Sequence, residues 1–351
     1  MSKKAALSVN DNSDIDIDFV ILWVDGNDEK WQEDKLKYSG NVASRLAIDD
    51  SVSRYRDWGN LKYLFRGIEE FTPWVHRIHF VTEGHVPEWL NLDNPKINHV
   101  RHEDFISKKY LPTFSANPIE LNMHRIEGLT EHFVYFNDDM FITRPMEKND
   151  FFRNGKPRDQ AILTRITSID PLDILPHILL NDVAVLNKNF DKNNSVKNHL
   201  SNWFNPKYGV ISMFKNLALM PYGVFSGFVW NHLPSSFLKS TFEEVWEAEP
   251  ALLDSTSSHK FRNILDVNQY LIKGWQTVSN NFSPTNIGKN WSGYFETFDN
   301  PNKLLDAIEE QRYPMICIND DNYDDKLFIQ TRDSIIASFD TILPNKSSFE
   351  A

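Results

Sequence analysis

Cysteine is almost missing from this 351-residue chain: Cys317 is the only one. A single thiol excludes an intramolecular disulfide and a thiolate zinc cluster, and it fits a reducing compartment. Positive charge is also in deficit. Lys and Arg number 37 against 49 Asp and Glu, a net charge of −12. Nucleic-acid backbones are gripped by surplus cations. The balance therefore excludes a general nucleic-acid binder and requires a local basic pocket for any anionic substrate. No window approaches ~20 uninterrupted apolar residues, the length that spans a bilayer. The stretch from Met1 to Asp18 is polar and acidic, without the apolar core of a secretory signal. Also missing are a Gly-rich phosphate loop, a His-Glu-x-x-His pair, a Ser-centred elbow and a tandem repeat.

What is present is a globular composition, 41% hydrophobic and 25% charged, long enough to bury a substantial core. The pattern centres on His132 to Ile142. An apolar and aromatic run ends in Asn137-Asp138-Asp139, and three apolar residues follow. Such a run reads as a strand buried on both faces, as in parallel sheets. Ile15–Val24 reads as another strand, ending in Asp25-Gly26-Asn27-Asp28. An amphipathic helix over 61–71 leads to a strand at Arg77–Thr82, and a short helical turn over 87–90 leads to another at about 96–100. The order β-α-β-α-β predicts a parallel sheet with right-handed crossovers. Helices are also expected over 119–130, just after Pro234, over 258–274 and over 331–339. A last short strand, 314–318, ends in Asn319-Asp320-Asp321 and repeats the central triplet. Residues 1–13 read as a disordered leader. Residues 14–351 read as one domain, with its core in 14–155 and 225–345 and an insertion at about 156–224.

Open α/β sheets bind ligands beyond the carboxyl ends of their strands. Carboxylates there suit Mg²⁺ or Mn²⁺. The candidate set is Asp25, Asn137, Asp138, Asp139, Asn319 and Asp320, with His232 and the basic Arg54, Arg56 and Arg262. Acids at strand ends, arginines and a histidine suit metal-dependent chemistry at a phosphate. Plainer readings stand beside this. Asp25-Gly26 and Asn137-Asp138 also make turns. Arg54 and Arg56 also serve as solvated flanks of a helix. Arg262 and Asp266 also make a surface pair at i, i+4. His76, His79, His85, His99 and His102 read as structural.

In four ordered blocks the chain resembles the Stealth family. These are hexose-1-phosphate transferases of bacterial surface polysaccharides, and the animal lysosomal-enzyme N-acetylglucosamine-1-phosphotransferase belongs with them. The first block is Ile17 to Asp28. The second runs from Arg54-Tyr55-Arg56-Asp57 through Ile119-Glu120 and His124-Arg125 to Asp139. The third holds His232-Leu233-Pro234, Arg262 and Asp266. The fourth is Ile318 to Asp321, and the tail through Phe349-Glu350 is similar too. Glu83 and Leu233 stand where the family often has Asn and Met.

The resemblance implies an α/β fold: Rossmann-like, mostly parallel, flanked by helices with helical excursions, and of the glycosyltransferase A type. It implies transfer of a sugar-1-phosphate from a nucleotide-sugar donor, expected to be a UDP-sugar, to a hydroxyl of a saccharide or lipid-linked saccharide. It also implies a divalent metal, Mg²⁺ or Mn²⁺. By position, Asp138, Asp139 and Asp320 become metal ligands. Asp139, His232 and Arg262 become catalytic. Asp25, Gly26, Arg54, Arg56, Glu120, Arg125, Asn137 and Asn319 become substrate-binding. The expected place is the cytoplasm, with the inner membrane face as a site of peripheral association. An ordinary glycosyltransferase that releases the nucleoside diphosphate is the alternative. A non-catalytic polysaccharide-binding protein on the same fold is a third reading, disfavoured by intact acids in both triplets.

Overall fold

The computed structural model describes residues 15–40, 57–288, 291–297, 300–320 and 325–351. Arg54, Arg56, Asp321 and the leader 1–13 lie outside them.

Among the described residues the strands are β1 (Ile17–Leu22), β2 (Ile78–Thr82), β3 (Ile97–Arg101), β4 (His132–Asn137), β5 (Met140–Ile142), β6 (Phe152–Arg153), β7 (Lys156–Asp159), β8 (Ser235–Leu238), β9 (Ser283–Pro284), β10 (Ser292–Glu296) and β11 (Met315–Asn319). The main sheet has the order β3-β2-β1-β4-β8. Its first four strands are parallel and β8 is antiparallel at the edge. A second sheet, β10-β11-β5, and a small third one, β6-β7-β9, complete the β structure. The result is a mixed α/β fold.

The apolar runs of β1 and β4 supply both faces of the main sheet. Phe19, Ile21, Val134 and Phe136 face one core, shared with helices Leu61–Phe71 and Asp325–Ile342 and with the second sheet. Val20, Leu22, Phe133 and Tyr135 face the other, under helices Ala116–Asn122, Lys239–Ala248 and Gln269–Val278. This alternation follows from the two-residue period of a strand.

One carboxylate interrupts the apolar run. Asp18 is fully buried, and its oxygens meet His76 Nδ1 at 2.7 Å, His79 Nε2 at 3.0 Å and the Thr130 N–H at 2.9 Å. His76 and His79 are thus structural partners of a buried charge. A second buried pair ties the tail down. Arg66 forks onto both Glu350 oxygens, at 2.7 and 2.9 Å, and donates to the Leu343 carbonyl. Gly67, on the same helix, lets β5 approach. A Cβ there would lie 2.4 Å from the Ile142 carbonyl oxygen.

Four expectations are corrected. Pro234 precedes a strand, not a helix: Ser235 opens β8 opposite Tyr135, so the missing Pro N–H falls just outside the ladder. The helix expected over 258–274 is a loop followed by helix Gln269–Val278. The loop wins because its polar side chains bind backbone locally. Asp266 accepts from Asn263 N–H, Asn263 from Leu265 N–H, and Asn268 caps Tyr270 N–H. The Arg262–Asp266 surface pair is likewise excluded, since Asp266 is buried and bonded elsewhere. The helix expected over 119–130 runs instead from Ala116 to Asn122, with a 3₁₀ turn through Arg125.

Two stability outcomes follow. Burial raises the Asp18 carboxyl, but the bonds from His79, Thr130 and His76 outweigh it, and the pKa ends below its ordinary value. A depressed carboxylate contributes stability above its unfolded pKa of ~4 and loses it as pH falls below that. Asp18→Asn should therefore cost ~3–5 kcal/mol at pH 7, with the gap to wild type narrowing in acid; denaturant melts at several pH values check this. Gly67→Ala should destabilise by ~1–3 kcal/mol through overpacking, although alanine is the better helix former, as the same melts would read.

Candidate functional site at the corner between two sheets

The chain leaves the main sheet at Asn137, turns through Asp138-Asp139 and enters the second sheet as β5. There it runs antiparallel to β11, with Met140 opposite Cys317. The Ile318 N–H donates to the Asp139 carbonyl at 2.8 Å. This pairing brings Asn319 and Asp320 to the corner formed by Asn137-Asp138-Asp139. Asn319 thus belongs to a different sheet from Asn137, and the site lies between the sheets.

Asp139 is the hub of the corner. Its Oδ2 meets His232 Nε2 at 3.0 Å and accepts from Cys317 Sγ at 3.3 Å. Its Oδ1 is buried and has no hydrogen-bond partner among the described residues. His232 also lies 3.5 Å from Asn137 Nδ2. Burial pulls the imidazole down, but the charge and hydrogen bond of Asp139, with the charge of Glu120, prevail, so its pKa ends above the ordinary value. Burial, aided by Asp139, holds Cys317 as a neutral thiol. Asp138 is exposed. Its carboxyl is pushed up to about 7 by desolvation first, then by the charge of Asp139, with Asp57 contributing. A side chain that reaches water feels little of the first cause, so the neighbouring carboxylates are the cause the geometry supports.

A buried polar layer backs this corner. Tyr135 donates to Glu120 at 2.9 Å and also touches Asn137 Oδ1. Glu120 Oε2 accepts from the Gln269 N–H at 3.3 Å. Burial raises the Glu120 carboxyl, against the charges of Arg262 and His232. Arg262 therefore lies near enough to act on both Glu120 and His232. It is carried by the 259–268 loop, whose buried anchor Asp266 meets His259 Nδ1 at 2.5 Å and Asn117 Nδ2 at 2.8 Å.

On the far side, Trp58 Nε1 donates to Asp320 at 3.3 Å. Trp23, Asp25, Asp57, Leu61, Pro87 and Trp89 line a cleft of about 240 Å³ beyond the end of β1. The Asp25 N–H donates to His85 Nε2 at 2.8 Å, and its carboxylate closes a turn onto the Asn27 N–H. Gly26 lies in that turn and offers its carbonyl to Gln32.

The structure thus brings Asn137, Asp139, His232 and Glu120 together, with Asp138 and Arg262 within electrostatic reach. Asn319 ends β11, and its carbonyl accepts from Thr297. Arg125 stands apart: it bonds Asn122 and covers the Trp246 ring at 4.2 Å. Asp139, His232 and Cys317 form a metal-capable cluster, with ligand atoms all within 4.8 Å of one another. Asp138 and Asp320, expected on the same ion, are not in that cluster.

Residues 16–43 match Stealth protein conserved region 1, and residues 54–159 match conserved region 2. The capsular polysaccharide phosphotransferase WcwK of Streptococcus pneumoniae is 40% identical over 338 residues, covering 95% of this chain and 98% of the relative. This chain belongs to the Stealth family. The receptor polysaccharide phosphotransferase WefC of Streptococcus oralis is 41% identical over 337 residues, 95% of this Stealth chain and 99% of WefC. Among solved structures, the bifunctional glycosyltransferase WbbM aligns over 93% of this chain and 50% of its own. Its TM-score is 0.37 at 12% identity, too slight to carry the fold.

Sequence reasoning missed Cys317, Tyr135 and Trp58 as members of this Stealth site. Tyr135 stands two residues before Asn137 on the same strand face, which was a usable signal. Cys317 and Trp58 reach the corner only through long-range pairing, which has no local signature.

The His232–Asp139 contact sets a titration outcome. In the metal-free protein, NMR of the His232 ring should give a pKa above 6.5. Asp139→Asn removes the main raising charge and leaves burial opposed only by Glu120, so the same resonance should titrate at lower pH than in wild type.

Proposed function

We propose that this chain transfers a hexose-1-phosphate, or its N-acetylhexosamine counterpart, from a nucleotide sugar to a sugar hydroxyl. The product is a phosphodiester in a capsular or other cell-surface polysaccharide. The carrying observation is the convergence of His232 on Asp139 at the corner where Asn137-Asp138-Asp139 meets the end of β11. Polysaccharide phosphotransferases that align over 95% of the chain support the same reaction class.

His232 takes the proton of the acceptor hydroxyl, and Oδ2 of Asp139 orients the ring and stabilises the imidazolium. The attacked phosphorus is the one nearer the sugar, so the sugar–oxygen bond survives and a nucleoside monophosphate leaves. Arg262 neutralises charge on the equatorial phosphate oxygens. The Trp23–Trp89 cleft, with Asp25 and Gly26 at its rim, receives the nucleotide of a UDP-sugar. Asn137, Asn319 and Glu120 frame the transferred group. Arg54 and Arg56 belong to the same donor site by family position; Arg125, held over the Trp246 ring, is left out of it.

We assign Mg²⁺ or Mn²⁺ to Asp139, with Asp138 and Asp320 as further oxygen donors by family position. The buried Asp139 Oδ1 is an oxygen that a hard cation would satisfy. The neutral Cys317 thiol is not a ligand for such an ion and serves as a donor to Asp139. When bound, the cation offsets phosphate charge.

We read residues 14–351 as one catalytic domain with 156–224 inserted. It works in the cytoplasm beside the inner membrane face on a saccharide or lipid-linked saccharide. Among the described residues no helix is long and apolar enough to cross a membrane, which leaves peripheral contact as the mode of approach.

The decisive assay supplies UDP-sugars with Mg²⁺ or Mn²⁺ and follows nucleotide and product. UMP and a phosphorus-31 diester signal are expected. UDP with a phosphorus-free glycoside would assign the chain to ordinary glycosyltransferases. EDTA should abolish turnover. Asp139→Asn should lower kcat by about 10²-fold or more and His232→Ala by roughly 10²–10⁴-fold. Arg262→Lys should also be poor, because ammonium lacks the planar fork.

A further inference from the structure

Acidic residues vanish from one long segment of this acidic chain. From Lys192 to Phe242 there is no Asp or Glu, while Lys192, Lys197, Lys207, Lys215 and Lys239 fall within it. In its middle, helix Val210–Leu219 turns Val210, Ile211, Phe214 and Leu217 outward. They are 75%, 77%, 70% and 57% exposed. Their spacing, i, i+1, i+4 and i+7, puts all four on one helical face. Tyr222 and Val224, just beyond, are exposed as well.

This face is held outward by buried polar clamps on the inner side. Asn216, nearly fully buried, accepts from the Leu163 N–H at 2.7 Å and donates to the carbonyls of Ala161 and Trp203 at 2.7 and 2.6 Å. Lys192, also buried, donates to the carbonyls of Leu219, Tyr222 and Val224 at 2.7, 2.8 and 3.2 Å. Those bonds satisfy carbonyls at and beyond the helix C-terminus, which lack partners within the helix. The helix is therefore fixed with its apolar stripe in solvent, where such stripes mark an interaction surface.

We propose that helix Val210–Leu219 docks the enzyme on an anionic phospholipid bilayer. It lies in the interface plane with Val210, Ile211, Phe214 and Leu217 among the acyl chains. Exposed Lys197, Lys207 and Lys215 face the headgroup phosphates. This deepens the peripheral contact proposed above and rests on that reading of where the acceptor lies. Charge selects the partner. An interfacial helix pairs apolar burial with cations on its flanks. Anionic lipid complements an acid-free, lysine-bearing surface, whereas a net charge of −12 would hold the rest of the molecule off the membrane. A two-fold contact between copies through this face would set lysines only against lysines.

The test is co-sedimentation of the full chain with vesicles of phosphatidylcholine alone or mixed with phosphatidylglycerol. Turnover is measured in parallel with a short water-soluble saccharide acceptor. Wild type should pellet with the anionic vesicles and release as salt rises. The double variant Ile211→Ser, Phe214→Ser should bind at least about tenfold less, given the transfer free energy of two large side chains. Lys215→Glu should weaken binding mainly at low salt. All three proteins should turn over the soluble acceptor equally, and circular dichroism should report the same helix content. Wild type that ignores anionic vesicles, or a double variant that binds as well as wild type, overturns the proposal. So does a wild-type dimer that the double variant abolishes without any vesicle binding. Failure of phosphotransfer with the soluble acceptor would overturn the reaction reading instead and leave the vesicle result standing.

Discussion

The site depends on one hydrogen-bonded pairing. β5 continues directly from the Asp138-Asp139 turn and pairs antiparallel with β11. The Ile318 N–H to the Asp139 carbonyl is the first rung at the corner. Without that ladder, Cys317 would not reach Asp139, and Asn319-Asp320 would have no reason to stand near Asn137-Asp138. A backbone bond thus fixes carboxylate geometry. Backbone ladders are more rigid anchors than side-chain contacts, which suits a site whose groups must be held within a fraction of an ångström.

The second constraint is buried charge. Glu120, Asp182 and Asp266 lie beneath the loop that carries Arg262, and all three are almost wholly shielded from water. Each takes backbone N–H bonds, from Gln269, Asn268 and Asn263. Burial raises the carboxyls of Glu120 and Asp182. His259, held by its bond to Asp266, is pushed above its ordinary value. Such groups are costly to desolvate and would cost more if broken singly. Here they set the path of a ten-residue loop that has no regular hydrogen bonding of its own and must still present a guanidinium near His232.

Much of this was legible in the sequence, for identifiable reasons. β1, β2 and β4 announced themselves because continuous apolar runs bounded by turn residues have few alternatives. Helix Leu61–Phe71 did so by its 3.6-residue stripe. The triplets were visible because acids seldom end an apolar strand without cause. What stayed hidden was set by distant partners. Nothing local tells that 315–319 joins β5 rather than the main sheet. Residues 258–268 carry an apolar stripe that imitates a helix, but Asp266 bonds to Asn117, 149 positions away, and to its own loop. Pro234 gave a misleading helix start because the strand after it is defined only by the edge of β4. Arg125 follows Glu120 closely in sequence, yet the 3₁₀ turn swings it over Trp246.

The Arg66–Glu350 fork joins residues 284 positions apart, and Ala351 then bonds back to Trp89. As the chain leaves the ribosome, the four parallel strands of the main sheet can assemble once residue 137 has emerged. The corner has no second wall until residues 315–319 follow, and Arg66 meets its carboxylate partners only when Asp340 and Glu350 appear. The enzyme is therefore assembled in an order that keeps its acids apart throughout most of its own synthesis. A chain interrupted before residue 315 would own the main sheet, the Trp23–Trp89 cleft and half of the corner.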